Sequence, residues 1–91
     1  MYEWDEKKDA ANLAKHGVPF EAIYAFDWMG SVEVEDNRFD YGEARYVAIG
    51  WLNGALHSVT YTCRGDIIRI ISLRKSDKRD QKFYAKAKEK T

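Results

Sequence analysis

Asn53-Gly54 stands between two apolar stretches, residues 44–52 and 56–63, and no other feature restricts the fold of this chain as tightly. Both residues tolerate the positive φ angles of a two-residue turn, so the pair predicts a tight antiparallel hairpin. A second turn, Arg64-Gly65-Asp66, leads into a third run at 67–74, where Ile67, Ile68, Ile70 and Ile71 put apolar side chains on both faces. A strand of that kind is covered by helix on at least one side. Val32 and Val34 alternate with Glu33 and Glu35, so residues 28–35 read as a further strand. Residues 36–42 lack a period and are rich in turn formers, which makes them the longest loop.

The N-terminal segment is punctuated just as clearly. Residues 2–4 suit a short edge strand. Asp5 is a good N-cap for a helix over 6–16, with Lys8 where a Glu would complete a capping box. Lys15 and His16 followed by Gly17 end that helix, whose thin apolar stripe is Ala10, Leu13 and Ala14. Pro19 opens a second helix, with Phe20, Ile23, Tyr24 and Phe26 at helical spacing. Ser76 starts a last helix that runs to Lys88, with Phe83 and Tyr84 facing inward. The expected order is β-α-α-β-β-β-β-α in one domain over 1–91. It is an α+β fold with an antiparallel sheet of four to five strands, two N-terminal helices and one C-terminal helix, the helices mainly on one face.

Composition narrows the class. With 45% hydrophobic and 14% aromatic residues, the chain packs a modest core and is too apolar for disorder. No apolar run approaches the roughly 18 residues of a spanning helix, and the polar start from Met1 to Lys8 argues against a secretory signal. Cys63 is the single cysteine, which points to a reducing cytoplasm and a buried, inert thiol. With only His16 and His57 beside it, no metal-ligand set is expected, and nothing calls for a cofactor. The net charge is zero, but residues 1–45 carry eleven acidic and five basic side chains, whereas 46–91 carry four and ten. Such asymmetry favours a polyanionic or acidic partner.

A series of short motifs runs through nearly the whole chain. It begins with Trp4-Asp5-Glu6-x-Lys8, Asn12 and Lys15-His16-Gly17-Val18-x-Phe20-Glu21. It continues with Asp36-x-Arg38, Tyr41-Gly42-Glu43-x-Arg45, Ile49-Gly50, Tyr61-Thr62-x-Arg64 and Arg69-Ile70-Ile71-Ser72-x-Arg74. In this order and spacing the chain resembles the BrnT family, bacterial toxins of type II toxin–antitoxin pairs with a RelE-like ribonuclease fold. It departs near the C-terminus. Members tend to show Arg-Arg/Lys-Ala, then an acidic residue and a tyrosine; here Arg74-Lys75-Ser76 is followed by Asp80 and Tyr84. The resemblance implies a cytoplasmic, metal-independent ribonuclease that inhibits translation and growth. It also implies neutralisation by a ribbon-helix-helix antitoxin of the BrnA type, in a 2:2 complex that reaches operator DNA only through the antitoxin.

Cutting RNA without a metal requires a base for the 2′-hydroxyl proton, cations for the phosphorane and an acid for the leaving 5′-oxygen. Arg69, Arg74, His16 and Lys8 are the catalytic candidates; Arg64, Lys75, Arg79 and Tyr84 are the candidates for holding RNA. Strand alternation puts Arg69 and Arg74 on opposite faces unless the strand bulges, with Arg69 sharing its face with Ile71 and Leu73. Arg69 has a plain structural alternative, an ion pair with Glu43 or Asp66. His16 titrates in the useful range, yet a histidine before Gly17 also stabilises a helix end. His57 reads as an exposed strand position, Asn12 as structural, Glu43 as an ion-pair partner, and Trp4, Trp28 and Trp51 as core or antitoxin-facing. The competing function is a non-catalytic binding module that captures an antitoxin and acts as co-repressor; a third is RNA binding without cleavage.

Overall fold

A computed structural model of the protein describes residues 1–90. The chain runs β1 (Tyr2–Glu3), α1 (Glu6–His16), a 3-10 helix (Phe20–Ala25), β2 (Val32–Glu35), β3 (Tyr46–Leu52), β4 (Ala55–Arg64), β5 (Ile67–Lys75) and α2 (Lys78–Glu89). Asn53 at φ 49° and Gly54 at φ 86° form the turn joining β3 to β4, as their side chains allow. The strands form one sheet in the order β1-β5-β4-β3-β2. Three of the pairings are antiparallel, but β1 lies parallel to β5, with Tyr2 opposite Ile68 and Glu3 opposite Arg69. The sheet is therefore mixed, not antiparallel. The meander of β2 to β5 leaves one side of β5 open, and β1 pairs there in the direction from which α1 can follow.

Register divides the sheet into two faces. Ala48, Leu52, Val59, Tyr61, Ile70 and Leu73 point to one side and pack with Phe20, Ile23 and Phe26 into the main core. The other face carries Val34, Val47, Ile49, Thr60, Ser58 and Arg74 in cross-strand register, and α2 lies over it, with Tyr84 against Trp51. Helical segments thus cover both faces rather than mainly one. A single helix with α geometry precedes the meander; the expected second one is a six-residue 3-10 turn after Pro19. Its stripe of Phe20 and Ile23 is fully buried, and tertiary packing keeps it short by turning the chain at Phe26 into a bridge with Leu52.

The first helix docks differently from its expected apolar stripe. Leu13 is half exposed and Ala10 and Ala14 face solvent, while Asn12 is buried. Asn12 Nδ2 donates to the Leu73 carbonyl at 2.7 Å and to Val18 O at 2.8 Å, and its Oδ1 accepts from Leu73 N at 3.2 Å. The side-chain amide thereby satisfies both main-chain groups at the edge of β5 that β1 is too short to reach. One turn earlier, Asp9 accepts from the Phe20 N–H at 2.8 Å and ties the 3-10 segment to α1. Gly17 at φ 73° closes α1 as its position predicts.

Four smaller expectations are corrected. Ser76 does not begin α2; Asp77 caps it in a capping box with Asp80, which leaves Ser76 buried in the joint. Within α2, Tyr84 faces inward and Phe83 is half exposed, because Asp80 and Tyr84 are one turn apart on the docked side. His57 is buried, with Nδ1 against the Ala55 carbonyl at 3.0 Å, since it sits on the core side of β4 beside Gly50. Cys63 is exposed, lying past the end of the core on β4.

Replacing Asn12 by Ala removes the partners of a buried N–H and a buried carbonyl, and is expected to cost about 2 kcal/mol of unfolding free energy. The check is urea unfolding, where the midpoint falls at constant slope. Equal stability of the Asn12→Ala protein would remove this amide from its role in docking α1.

Candidate active site

One extra residue in β5 rearranges the arginines. Thr60 lies opposite Ser72 and Tyr61 opposite Ile70, so Ile71 is an unmatched bulge. Beyond it the alternation changes sign. Arg69 pairs with Thr62 and Arg74 with Ser58, and because positions 58 and 62 share a side of β4, both arginines face the same way. The opposite-face expectation is overturned by the bulge. Leu73, expected beside Arg69, instead enters the core.

Their environments differ. Arg69 Nη1 donates to Glu3 Oε2 at 2.7 Å, a partner supplied by the parallel β1–β5 register in place of the expected Glu43 or Asp66. Arg64 bridges Glu43 at 3.4 Å and Glu3 at 3.9 Å, and Arg45 adds a 3.9 Å contact to Glu43 while stacking over Tyr41. These charges form a connected structural network along one end of the sheet. Arg74 Nη1 donates to Asp80 Oδ2 at 2.8 Å and to the Lys75 carbonyl at 3.2 Å. Asp80 also accepts from Ser58 Oγ at 3.1 Å and from the Asp77 N–H at 3.1 Å. Ser58 spends its one proton there, so Ser76 donates to Ser58 across 2.8 Å. Asp80 thus holds the guanidinium of Arg74 and docks α2 with the same carboxylate.

Two depressions lie near Arg74, which lines the larger of them. The smaller, about 240 Å³, is lined by Lys8, Asn12, Lys15 and His16 of α1 and by Ile71 and Ser72 at the bulge. Positions 8, 12, 15 and 16 share one face of α1 by helical spacing, and the Asn12 amide presses that face onto β5. Partial burial, reinforced by the charges of Lys15 and Arg74, lowers the His16 pKa below its ordinary 6.5. Its imidazole is therefore neutral at pH 7 among permanent cations. The larger depression, about 530 Å³, has Val34, Val47, Ile49 and Thr60 as its floor. Arg74, Arg79, Asp80 and Phe83 make one wall, and residues 35–38 the other.

The remaining candidates lie apart. Lys75 is exposed on the opposite face from Arg74, opposite His57. Tyr84 is buried, donating to the Gly30 carbonyl at 3.2 Å and packing on Trp51. Arg79 is exposed and has no ion pair among the described residues. Trp4 packs on Phe20 and Trp28 on Phe26 and Tyr61. In the wall of the larger cleft, Arg38 binds the buried Asp36 carboxylate through Nε at 3.0 Å and Nη2 at 3.1 Å and holds its pKa down to about 2. Among the described residues no group of three His, Cys, Asp or Glu side chains is placed to hold a metal ion, and no helix is long and apolar enough to cross a membrane. Sequence reasoning missed Asp80 and Glu3 as the partners of the arginines. The Asp77-x-x-Asp80 spacing signals the first, but only the sheet order reveals the second.

The lowered pKa of His16 has a definite sign. As pH falls through 6.5, the unfolded chain takes up this proton before the folded one, so the contribution of His16 becomes destabilising and is absent at higher pH. In an NMR titration His16 is expected to show a midpoint below 6.5 that rises in Arg74→Ala. A midpoint at or above 6.5 in the wild type would contradict this environment.

The arrangement of cations around a neutral imidazole suits the handling of a phosphate ester, and the family comparison agrees with it. The model of the ribonuclease toxin, BrnT, of type II toxin–antitoxin systems matches residues 4–80, which include Lys8, His16, Arg69, Arg74 and Asp80. No curated protein matches the chain. The match spans most of the chain, from just after β1 to the start of α2, and the protein belongs to the BrnT family of type II toxin–antitoxin ribonuclease toxins.

Proposed function

We propose that this toxin is a metal-independent endoribonuclease whose chemistry takes place where the Lys8–His16 basin meets Arg74. The observation that carries the reading is that Lys8 and His16 line one basin while the charge of Arg74 acts on His16. The neutral imidazole accepts the proton of a 2′-hydroxyl. The 2′-oxygen then attacks the adjacent phosphorus, the bond from phosphorus to the 5′-oxygen breaks, and Lys8 gives the departing oxygen its proton. The products are a 2′,3′-cyclic phosphate and a 5′-hydroxyl. Arg74 and Lys15 balance the phosphorane charge, and Asp80 keeps Arg74 in place. The internal nucleophile makes positioning a large part of the rate. Arg69 and Arg64, committed to Glu3 and Glu43, are assigned to the sheet rather than to the reaction.

The sheet with α1 at one edge and α2 across its outer face supports a RelE-like reading. Family membership supports an antitoxin partner; its BrnA-type ribbon-helix-helix character, the 2:2 assembly and operator binding through it are part of this proposal. The ion pairs on Arg64 and Arg69 favour the second reading, a module that captures antitoxin without cutting RNA, because they leave those cations less free for phosphate.

The test is cleavage of single-stranded RNA by the antitoxin-free protein in EDTA, with the ends analysed. Cyclic-phosphate ends are expected, with the rate lowered about 10²- to 10⁴-fold in His16→Ala and about 10²- to 10³-fold in Arg74→Ala. Arg69→Ala is expected to cut RNA near the wild-type rate with lower thermal stability. Folded wild type that leaves RNA intact both alone and with ribosomes, yet binds antitoxin, would establish the binding module instead.

A further inference from the structure

Resting on the ribonuclease reading, we infer that the larger cleft is a nucleotide subsite, which receives one nucleobase of single-stranded RNA while the attached phosphate lies at Arg74 and Arg79. Its volume of about 530 Å³ falls in the range of small-molecule pockets and is ample for a mononucleotide. Its floor is largely apolar: on the outer face of the sheet Val34 lies opposite Val47, Ile49 follows Val47 along β3, and Thr60 of β4 lies on the other side of Val47. The edge of that floor is walled by Phe83 of α2, an aromatic ring left 43% exposed although its helix is docked. An exposed ring beside an aliphatic floor offers a base a stacking partner and a dry surface.

The polar groups are arranged around this slot as a nucleotide requires. Arg74 and Arg79 supply fixed positive charge at one end. Arg74 remains partly exposed with Asp80 attached, and Arg79 has no ion pair among the described residues, so one guanidinium is available for a phosphate without breaking a salt bridge. Asn37 in the far wall and Thr60 in the floor offer hydrogen-bond partners to a base edge. The Asp36 carboxylate in the same wall is neutralised by Arg38 and hydrogen-bonded by Tyr41, so it repels a phosphate little. Arg74 lines this cleft and its charge acts on His16 of the smaller one, so a 3′-phosphate on it places the base of the same nucleotide toward Phe83 and that nucleotide's 2′-hydroxyl toward His16. Two neighbouring guanidinium groups beside a floor sized for one ring favour a nucleotide over a protein segment.

Binding can be read without cleavage. The folded protein, methyl-labelled at Val and Ile, is titrated with 3′-AMP and, separately, with inorganic phosphate. The expected result is that 3′-AMP shifts the methyls of Val34, Val47 and Ile49 and binds more tightly than phosphate. Phe83→Ala is expected to weaken 3′-AMP about ten-fold, in line with loss of one base–aromatic stack, and to leave phosphate affinity unchanged. Phe83 is half exposed, so this variant keeps the fold. Equal affinity for phosphate and 3′-AMP, or indifference of 3′-AMP to Phe83→Ala, overturns the subsite. So do floor methyls that ignore 3′-AMP and move only when antitoxin is added, which would assign the cleft to the protein partner. These outcomes stand whether or not the protein cuts RNA, so the subsite and the ribonuclease reading fail separately.

Discussion

The side-chain amide of Asn12 replaces a missing strand, and the rest of the site depends on that substitution. β5 is paired with β1 only at Ile68 and Arg69, which leaves the main chain at Leu73 without a neighbour on its outer side. An unpaired N–H and carbonyl buried beneath a helix are costly. Asn12 meets both and reaches the Val18 carbonyl as well. It can do so because an amide carries donor and acceptor in one plane. Docking by polar groups frees α1 from burying an apolar stripe, and the face turned toward β5 can carry Lys8, Lys15 and His16. The helix is held through one residue, and its neighbours carry the side chains of the proposed chemistry.

The bulge at Ile71 performs the complementary task on the sheet. Without it, Arg74 would lie on the core side and Leu73 on the outer one, reversing which of them is buried. With it, Leu73 fills the core and Arg74 emerges at the seam between α1 and α2. The guanidinium is then caught by Asp80, which is itself ordered by the capping box of α2 and by Ser58. A carboxylate that caps a helix, docks it and orients a cation couples the seating of α2 to the position of Arg74.

Charge is distributed by the same logic. The acidic first half does not gather into a surface apart from the basic second half. Glu3 and Glu43 of the first half bind Arg69 and Arg64 of the second. A chain of zero net charge thus pairs several of its arginines with carboxylates, while Lys8 and Lys15 line one depression and Arg79 the other. Electrostatic capture of a polyanion then relies on local positive charge rather than on the total.

Much of the architecture was legible residue by residue. The Asn53-Gly54 turn, the Asp5 cap, the Gly17 stop and the four longer strands follow from local φ preferences and from the alternation of Val and Glu, and the short motifs carried the family. Other features were not local. The parallel pairing of β1, the partner of Arg69, the burial of His57 and the exposure of Cys63 depend on which strands become neighbours. The sequence by itself determined where the chain turns, where helices begin and end, and which chemical groups are present. Only the tertiary structure decided which of those groups meet, because one bulged residue inverts the parity of a strand and one amide chooses the edge on which a helix rests.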